Sequence, residues 1–263
     1  MKNTFALRSD YPIQASRCPL CCLSNSRFLL HIPSPQSDMA DKYYVHKGLK
    51  LFFAFWEKYH ALDNFHYQWA KDHLKVLAVK RGEVLEPPGH TTEISYFVAT
   101  GILARAVDDP NTGKRKITSL ALPNMALMST VHLHSHSIRP GEIIALRPGI
   151  IIALPHSVLR RFQEYEKSVD TLVDVFCNKE KRQLILLQQL LREYSSFERY
   201  LSFVQLMPEI RAVTSQTEQA ALLDISRNTI QRATYFLATR KNAENSTAIW
   251  SQNQGISVCN FVM

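Results

Sequence analysis

Apolar residues first fall into register at Leu49, Phe52, Phe53 and Trp56, the i, i+3, i+4, i+7 spacing of an amphipathic helix. Asp63 stands where it can cap a second helix carrying Trp69, His73 and Leu74. From Val76 the pattern changes. Short apolar runs appear at Val76–Val79, Val84–Leu85, Ile94–Val98, Ile102–Val107, Ile117–Leu122, Ile143–Leu146 and Ile150–Leu154. Between them lie Arg81-Gly82, Pro87-Pro88-Gly89, Asp109–Gly113 and Arg139-Pro140-Gly141. Short runs bounded by turn residues predict strands of a sandwich or barrel, with Asp109–Gly113 as a hairpin tip.

Pro155 closes the last strand, and helical texture follows from about Ser157 to Leu206. Val169, Leu172, Val173, Phe176, Leu184, Leu187, Leu190 and Leu191 form an apolar stripe, and nothing interrupts a helix from Ser168 to Tyr194, roughly 40 Å long at about 1.5 Å per residue. Such a stripe either packs within one chain or forms a seam between two copies; the helix length favours the seam. Residues 1–38 are rich in proline and serine without periodicity and read as a disordered extension, and residues 241–263 read as a tail.

The stretch from Thr214 to Leu237 carries the most specific chemistry. A helix over Thr217–Leu222, the short connection Leu223-Asp224-Ile225, a capping Ser226 and a second helix make a helix-turn-helix, with Ala220 and Ala221 small enough for a close crossing. Leu222, Ile225 and Ile230 are its expected core. Arg227, Asn228, Thr229, Gln231 and Arg232 gather in the first two turns of the second helix, and these residue types read base edges: Arg on guanine, Asn or Gln on adenine. On spacing alone, an ordinary helical hairpin with a polar outer face fits equally well.

Composition narrows the class. Hydrophobic residues make up 46% and charged residues 21% of the 263, which excludes collagen-like, disulfide-scaffold and grossly disordered chains. No apolar run reaches the ~18–20 residues of a membrane span, so no membrane association is expected. The net charge of +8 is compatible with a polyanionic partner but diffuse. Five cysteines, an odd number, point to a reducing, cytoplasmic setting. Cys18, Cys21 and Cys22 supply at most part of a metal or cluster site, which needs about four thiolates. His132, His134 and His136 alternate as zinc or copper ligands on one strand face would, though a polar surface loop is the simpler reading. No metal site, cofactor or catalytic motif is expected, and hence no enzyme.

Three segments resemble the Crp/Fnr superfamily of bacterial transcription regulators, in particular its divergent Bacteroidetes-type branch. RGEVLEPPGHTTEISYFVATGILARAV is similar to the first β-roll hairpins, SSFERYLSFVQLMPEI to the segment after the dimer helix, and QAALLDISRNTIQR to the helix-turn-helix. The resemblance spans about residues 49–240. It implies an α+β chain with a cyclic-nucleotide-binding-like β-roll (jelly roll) over 39–167, a dimerisation helix over 168–194 and a helix-turn-helix domain over 195–240. It implies Ser226, Arg227, Asn228, Thr229, Gln231 and Arg232 as the DNA-contacting set. The partners implied are double-stranded DNA, a second copy of the chain, RNA polymerase and a small-molecule effector of unknown identity.

Two departures fall in the reading head. Asp224 replaces the family's turn glycine, and Arg227-Asn228 replaces its Pro-Glu pair, which alters sequence preference. In the sensor, Arg139 aligns with the arginine that holds the cyclic phosphate, but Pro140 follows it and Pro123-Asn124 falls where the ribose-binding Gly-Glu pair belongs. Classical cyclic AMP binding is therefore not expected; Arg139 is left to hold another anion or to sit on a solvated turn. The competing functional class is a ligand-sensing or interaction protein whose degenerate helix-turn-helix does not bind DNA.

Overall fold

The computed structural model describes residues 35–110 and 112–254, with side chains over 42–110 and 112–240. Cys18, Cys21, Cys22 and Cys259 lie outside the described residues, as does most of the expected extension. Helix α1 (Pro35–Trp56) begins inside that extension and carries Leu49, Phe52, Phe53 and Trp56. Asp63 caps α2 (Asn64–His73), its Oδ1 accepting from the amides of Phe65 and His66 at 3.0 and 3.2 Å.

Six strands form one antiparallel sheet: β1 (Lys75–Val79), β2 (Val84–Glu86), β3 (Ile94–Asp108), β4 (Arg115–Ala121), β5 (Ala126–Met128) and β6 (Glu142–Pro155). The order is β1-β6-β3-β4, with β2 on β6 and β5 on β3. Two expected pairs of strands are in fact single long strands. The apolar runs 94–98 and 102–107 join into β3, and 143–146 and 150–154 join into β6. The joins face each other, and register shifts cluster there. Gly101 has φ +91°, and a Cβ on Gly149 would sit 2.0 Å from the Thr100 carbonyl oxygen. The strands bend past each other where only glycine fits, so the interruption of apolar pattern marks a bend and not an end.

After Pro155 come α3 (His156–Gln163) and α4 (Ser168–Leu191). The long helix stops three residues before the expected Tyr194, which is fully exposed. Its apolar stripe is committed within the chain. Val169, Leu172, Val173 and Phe176 pack with α1, α2 and the sheet, where Phe55 stacks on Phe176 at 5.8 Å. Leu187 and Leu190 pack with Ile117, Leu120, Leu222 and Leu223. Gln183 fastens the same helix face by accepting from the Leu120 amide at 2.9 Å. The stripe expected as an intermolecular seam is thus mostly occupied; α4 leaves exposed a more polar face carrying Ile185 and, on the stripe side at the helix C-terminus, Leu191.

The chain finishes with α5 (Ser196–Leu206), α6 (Pro208–Val213), α7 (Gln216–Leu223) and α8 (Arg227–Gln254). The backbone of α8 runs through most of the segment expected as a tail. Among the described residues no helix is long and apolar enough to cross a membrane.

Candidate nucleic-acid interface

Ser215 begins the site. Its hydroxyl caps the Glu218 amide while the Glu218 carboxylate accepts from the Ser215 amide at 2.7 Å, a capping box that starts α7. Asp224 ends the helix with φ 51° and ψ 51°, the left-handed conformation that glycine takes most easily and that aspartate tolerates better than most residues. Arg199 on α5 holds this turn, donating to the carbonyls of Leu223 at 2.9 Å and Glu193 at 3.0 Å. Ser226 starts α8 by accepting from the Thr229 amide at 3.1 Å. The connection between the helices is Asp224–Ser226, one residue later than the spacing predicts.

Leu222 and Ile230 are buried between the two helices, and Ile225 is half-buried against them. Tyr200 on α5 locks the pair from below: its hydroxyl donates to Gln219, whose amide donates to the carbonyls of Thr214 at 2.9 Å and Arg211 at 3.1 Å. With the apolar side used up, the first turns of α8 present Ser226, Arg227, Asn228, Gln231 and Arg232 to solvent, while Thr229 is half-buried. The six residues singled out in the sequence therefore share one helix start, and five of them are exposed. Arg199, Tyr200 and Gln219 were not singled out; Arg199 and Tyr200 lie inside the quoted FERYL stretch, and only the fold shows what they support.

This unit rests on the sheet. Arg147 of β6 donates to both carboxylate oxygens of Glu218, at 2.7 and 2.8 Å, and to the Val213 carbonyl. Burial pushes the Glu218 carboxyl up, but Arg147 and the Ser215 hydrogen bonds outweigh it and hold the group below the usual carboxylate range. Lys116 of β4 lies 3.1 Å from both Asp109 and Asp224; Asp109 and then Asp224 raise its pKa. A cleft of about 890 Å³ separates the start of α8 from the β3–β4 hairpin, with Lys114 and Lys116 on one wall and Arg227 and Thr229 on the other.

The β-sheet half holds an ionic interior. Arg139 pairs with Glu180 of α4, which is 3% exposed, and donates to the Val131 carbonyl at 3.1 Å. The carboxylate already neutralises the arginine expected to meet an anion. Asn124 takes a positive φ of 67°, and its carbonyl accepts from Lys179 of α4 at 2.9 Å. Deeper in the roll, Glu86 and Arg105 are both nearly fully buried. Desolvation pushes Glu86 up to about 7, although the Arg105 charge opposes the shift. His156 is pushed down to about 4, by burial and then by Arg160, and it bonds Ser95 at 2.9 Å. His132, His134 and His136 lie on the surface loop between β5 and β6, where His136 pairs with Glu93.

No family model matches the sequence, and no curated protein matches it. Solved structures do. FixK2 from Bradyrhizobium japonicum superposes with a TM-score of 0.54 at 18% identity, covering 64% of this chain and 86% of that one. The c-di-GMP responsive global regulator CLP from Xanthomonas campestris gives 0.53 at 15% identity, with 68% and 93% covered. A Crp/Fnr-family regulator from Eubacterium rectale gives 0.51 at 14% identity, with 68% and 85% covered. At such identities the likeness is one of fold, and it joins the antiparallel roll to the helices behind it: the chain has the α+β cyclic-nucleotide-binding fold of the Crp/Fnr transcription regulators.

Proposed function

We propose that this protein is a homodimeric, sequence-specific DNA-binding transcription regulator, with residues 39–167 as a degenerate sensor, 168–194 as the dimerisation segment and 195–240 as the DNA-binding domain. The observation that carries this reading is the start of α8. Two arginines, an asparagine and a glutamine stand exposed on a helix whose other side is locked by Leu222, Ile230 and the Arg199 clamp. Donors rigidly displayed on a helix start suit base edges in the major groove. The exposed Tyr235 lies further along the same helix, where it suits a sugar-phosphate wall.

Dimerisation is assigned to the outer face of α4, through Ile185, which is 53% exposed. The sensor is read as degenerate because Glu180 occupies Arg139 and Pro140 follows it.

The docking of α7 on the sheet through Arg147–Glu218 and Lys116–Asp224 favours one second reading, a protein whose helix-turn-helix stays held against its own roll and does not engage DNA. Selection of bound fragments from random double-stranded DNA separates the two. The proposal expects an inverted repeat with half-site centres one turn apart, about 10–10.5 bp, or a multiple of it. Recovery of unenriched sequence, with no dependence on the α8 side chains, supports the second reading.

A further inference from the structure

The turn after α1, the first turn of α2 and the α3–α4 connection converge on three ligand-type side chains. His60, His66 and Glu166 each present one donor atom, all within 4.8 Å of one another. Glu166 Oε1 is 4.0 Å from His60 Nε2, and Glu166 Oε2 is 3.7 Å from His66 Nε2. His66 is buried at 3% exposure, and Ser168 Oγ lies 3.1 Å from its Nε2.

The protonation of His66 follows from its other nitrogen. Nδ1 lies 2.7 Å from the Asp63 carboxylate and 3.3 Å from the Asp63 amide. The shorter contact, to a group that can only accept, puts the proton on Nδ1. The Nε2 lone pair then faces the Ser168 hydroxyl at 3.1 Å, which can donate to it, and Glu166 Oε2 at 3.7 Å. With His60 Nε2 on the exposed side, three ligand atoms within 4.8 Å of one another surround a position that one cation can share. A carboxylate behind a histidine that faces a metal is the arrangement that fixes the ring and raises its basicity.

We propose that His60, His66 and Glu166 bind a divalent transition-metal cation of the zinc type, with Asp63 as a positioning residue for His66. Two imidazoles and one carboxylate exclude a calcium or magnesium cage, which takes oxygen ligands, and fit the three-ligand zinc set that leaves a position open. Metal bonds of about 2.0–2.2 Å place tetrahedral ligands roughly 3.3–3.6 Å apart, so closure asks for movements under about 1 Å. The exposed His60, on a turn, is the ligand free to make them. The ion would tie the α1–α2 unit to the start of α4, a junction made otherwise by packing and by the His66–Ser168 contact. The site does not depend on the DNA-binding reading.

The test is calorimetric titration of the metal-stripped full chain with Zn²⁺, with circular dichroism on every variant. One equivalent per chain is expected. His60→Ala and Glu166→Gln, both at positions outside the apolar core, should each weaken binding at least about tenfold. Asp63→Asn keeps a good helix cap but removes the carboxylate, and should weaken binding roughly 10–100-fold without unfolding α2. Changing His132, His134 and His136 together to alanine should leave affinity unchanged. A Co²⁺ titration of the unaltered chain should give the spectrum of nitrogen and oxygen ligation. Absence of stoichiometric binding, unchanged affinity in folded His60→Ala and Glu166→Gln, or a thiolate-to-cobalt charge-transfer band would each overturn the site.

Discussion

Arg147 on β6 and Glu218 on α7 meet in a two-pronged ion pair, 2.7 and 2.8 Å, between residues 71 apart in sequence. Glu218 has two tasks: it closes the capping box of α7 and it docks that helix on the sheet. Glu218→Gln separates them, because glutamine serves equally at that position of a capping box while losing the charge. The variant should keep its helix content and lose on the order of 1–2 kcal/mol at the contact. Hydrogen exchange should speed up in residues 214–232 and stay unchanged in β1 and β6. Equal protection throughout would mean that packing alone holds the unit.

The pH dependence of stability should be flat for a reason that single variants expose. Glu86 titrates near 7 in the folded chain and near 4.5 unfolded, so the unfolded state has released its proton first. Its contribution is present at low pH and is lost as pH rises from about 4.5 to 7. His156 titrates near 4 folded and near 6.5 unfolded, so its contribution is present above about 6.5 and is lost as pH falls towards 4. Between about 4.5 and 6.5 the two slopes oppose each other, each up to about 1.4 kcal/mol per pH unit. Chemical denaturation of Glu86→Gln across this range should show stability rising with pH, and of His156→Gln falling with pH. Parallel slopes in the two variants would refute the assignment.

Dimer formation and chain folding should respond to different faces of α4. Leu187 is buried among Leu222, Leu223 and Ile117, so Leu187→Asp places a charge in the core and should cost several kcal/mol of stability. Ile185→Asp, on the outer face, should leave the fold intact and give monomers in sedimentation velocity. A folded, dimeric Ile185→Asp protein would move the interface elsewhere.

The β-sheet half should not take cyclic AMP. Glu180 neutralises Arg139, and Asn124 spends its carbonyl on Lys179. Calorimetry should give no heat beyond dilution up to millimolar nucleotide, and Glu180→Gln should be the variant in which an anion first gains affinity. Micromolar binding by the unaltered chain would contradict this.

Local signals were legible and distant ones were not. Asp63 before a helical pattern became a cap, and Asp224 in the place of a turn glycine took the left-handed backbone, because both act on residues within one turn. The strand runs are legible, but the gaps between them at 99–101 and 147–149 are a crossing point of two long strands, a relation between Gly101 and Gly149, 48 positions apart. The α4 stripe had the period of a buried face, which says nothing of whether the burying surface belongs to the same chain. Arg199, Arg147 and Lys116 each look like solvated charge in sequence; their partners are carbonyls and carboxylates that only the tertiary fold brings near.

If the exposed start of α8 reads base sequence, Arg227→Ala will show it. Arg227 is exposed beside Asn228 at the very start of the helix, best placed for base edges. Affinities of the unaltered and Arg227→Ala proteins for a randomised operator library, at two salt concentrations, should differ by roughly 1–3 kcal/mol on the preferred site. Preference should relax at one position per half-site. A uniform loss across all sequences, with the salt slope reduced by about one unit, would place Arg227 on phosphate. No change in either affinity or preference would contradict the account and leave the helix-turn-helix as a unit held against its own roll.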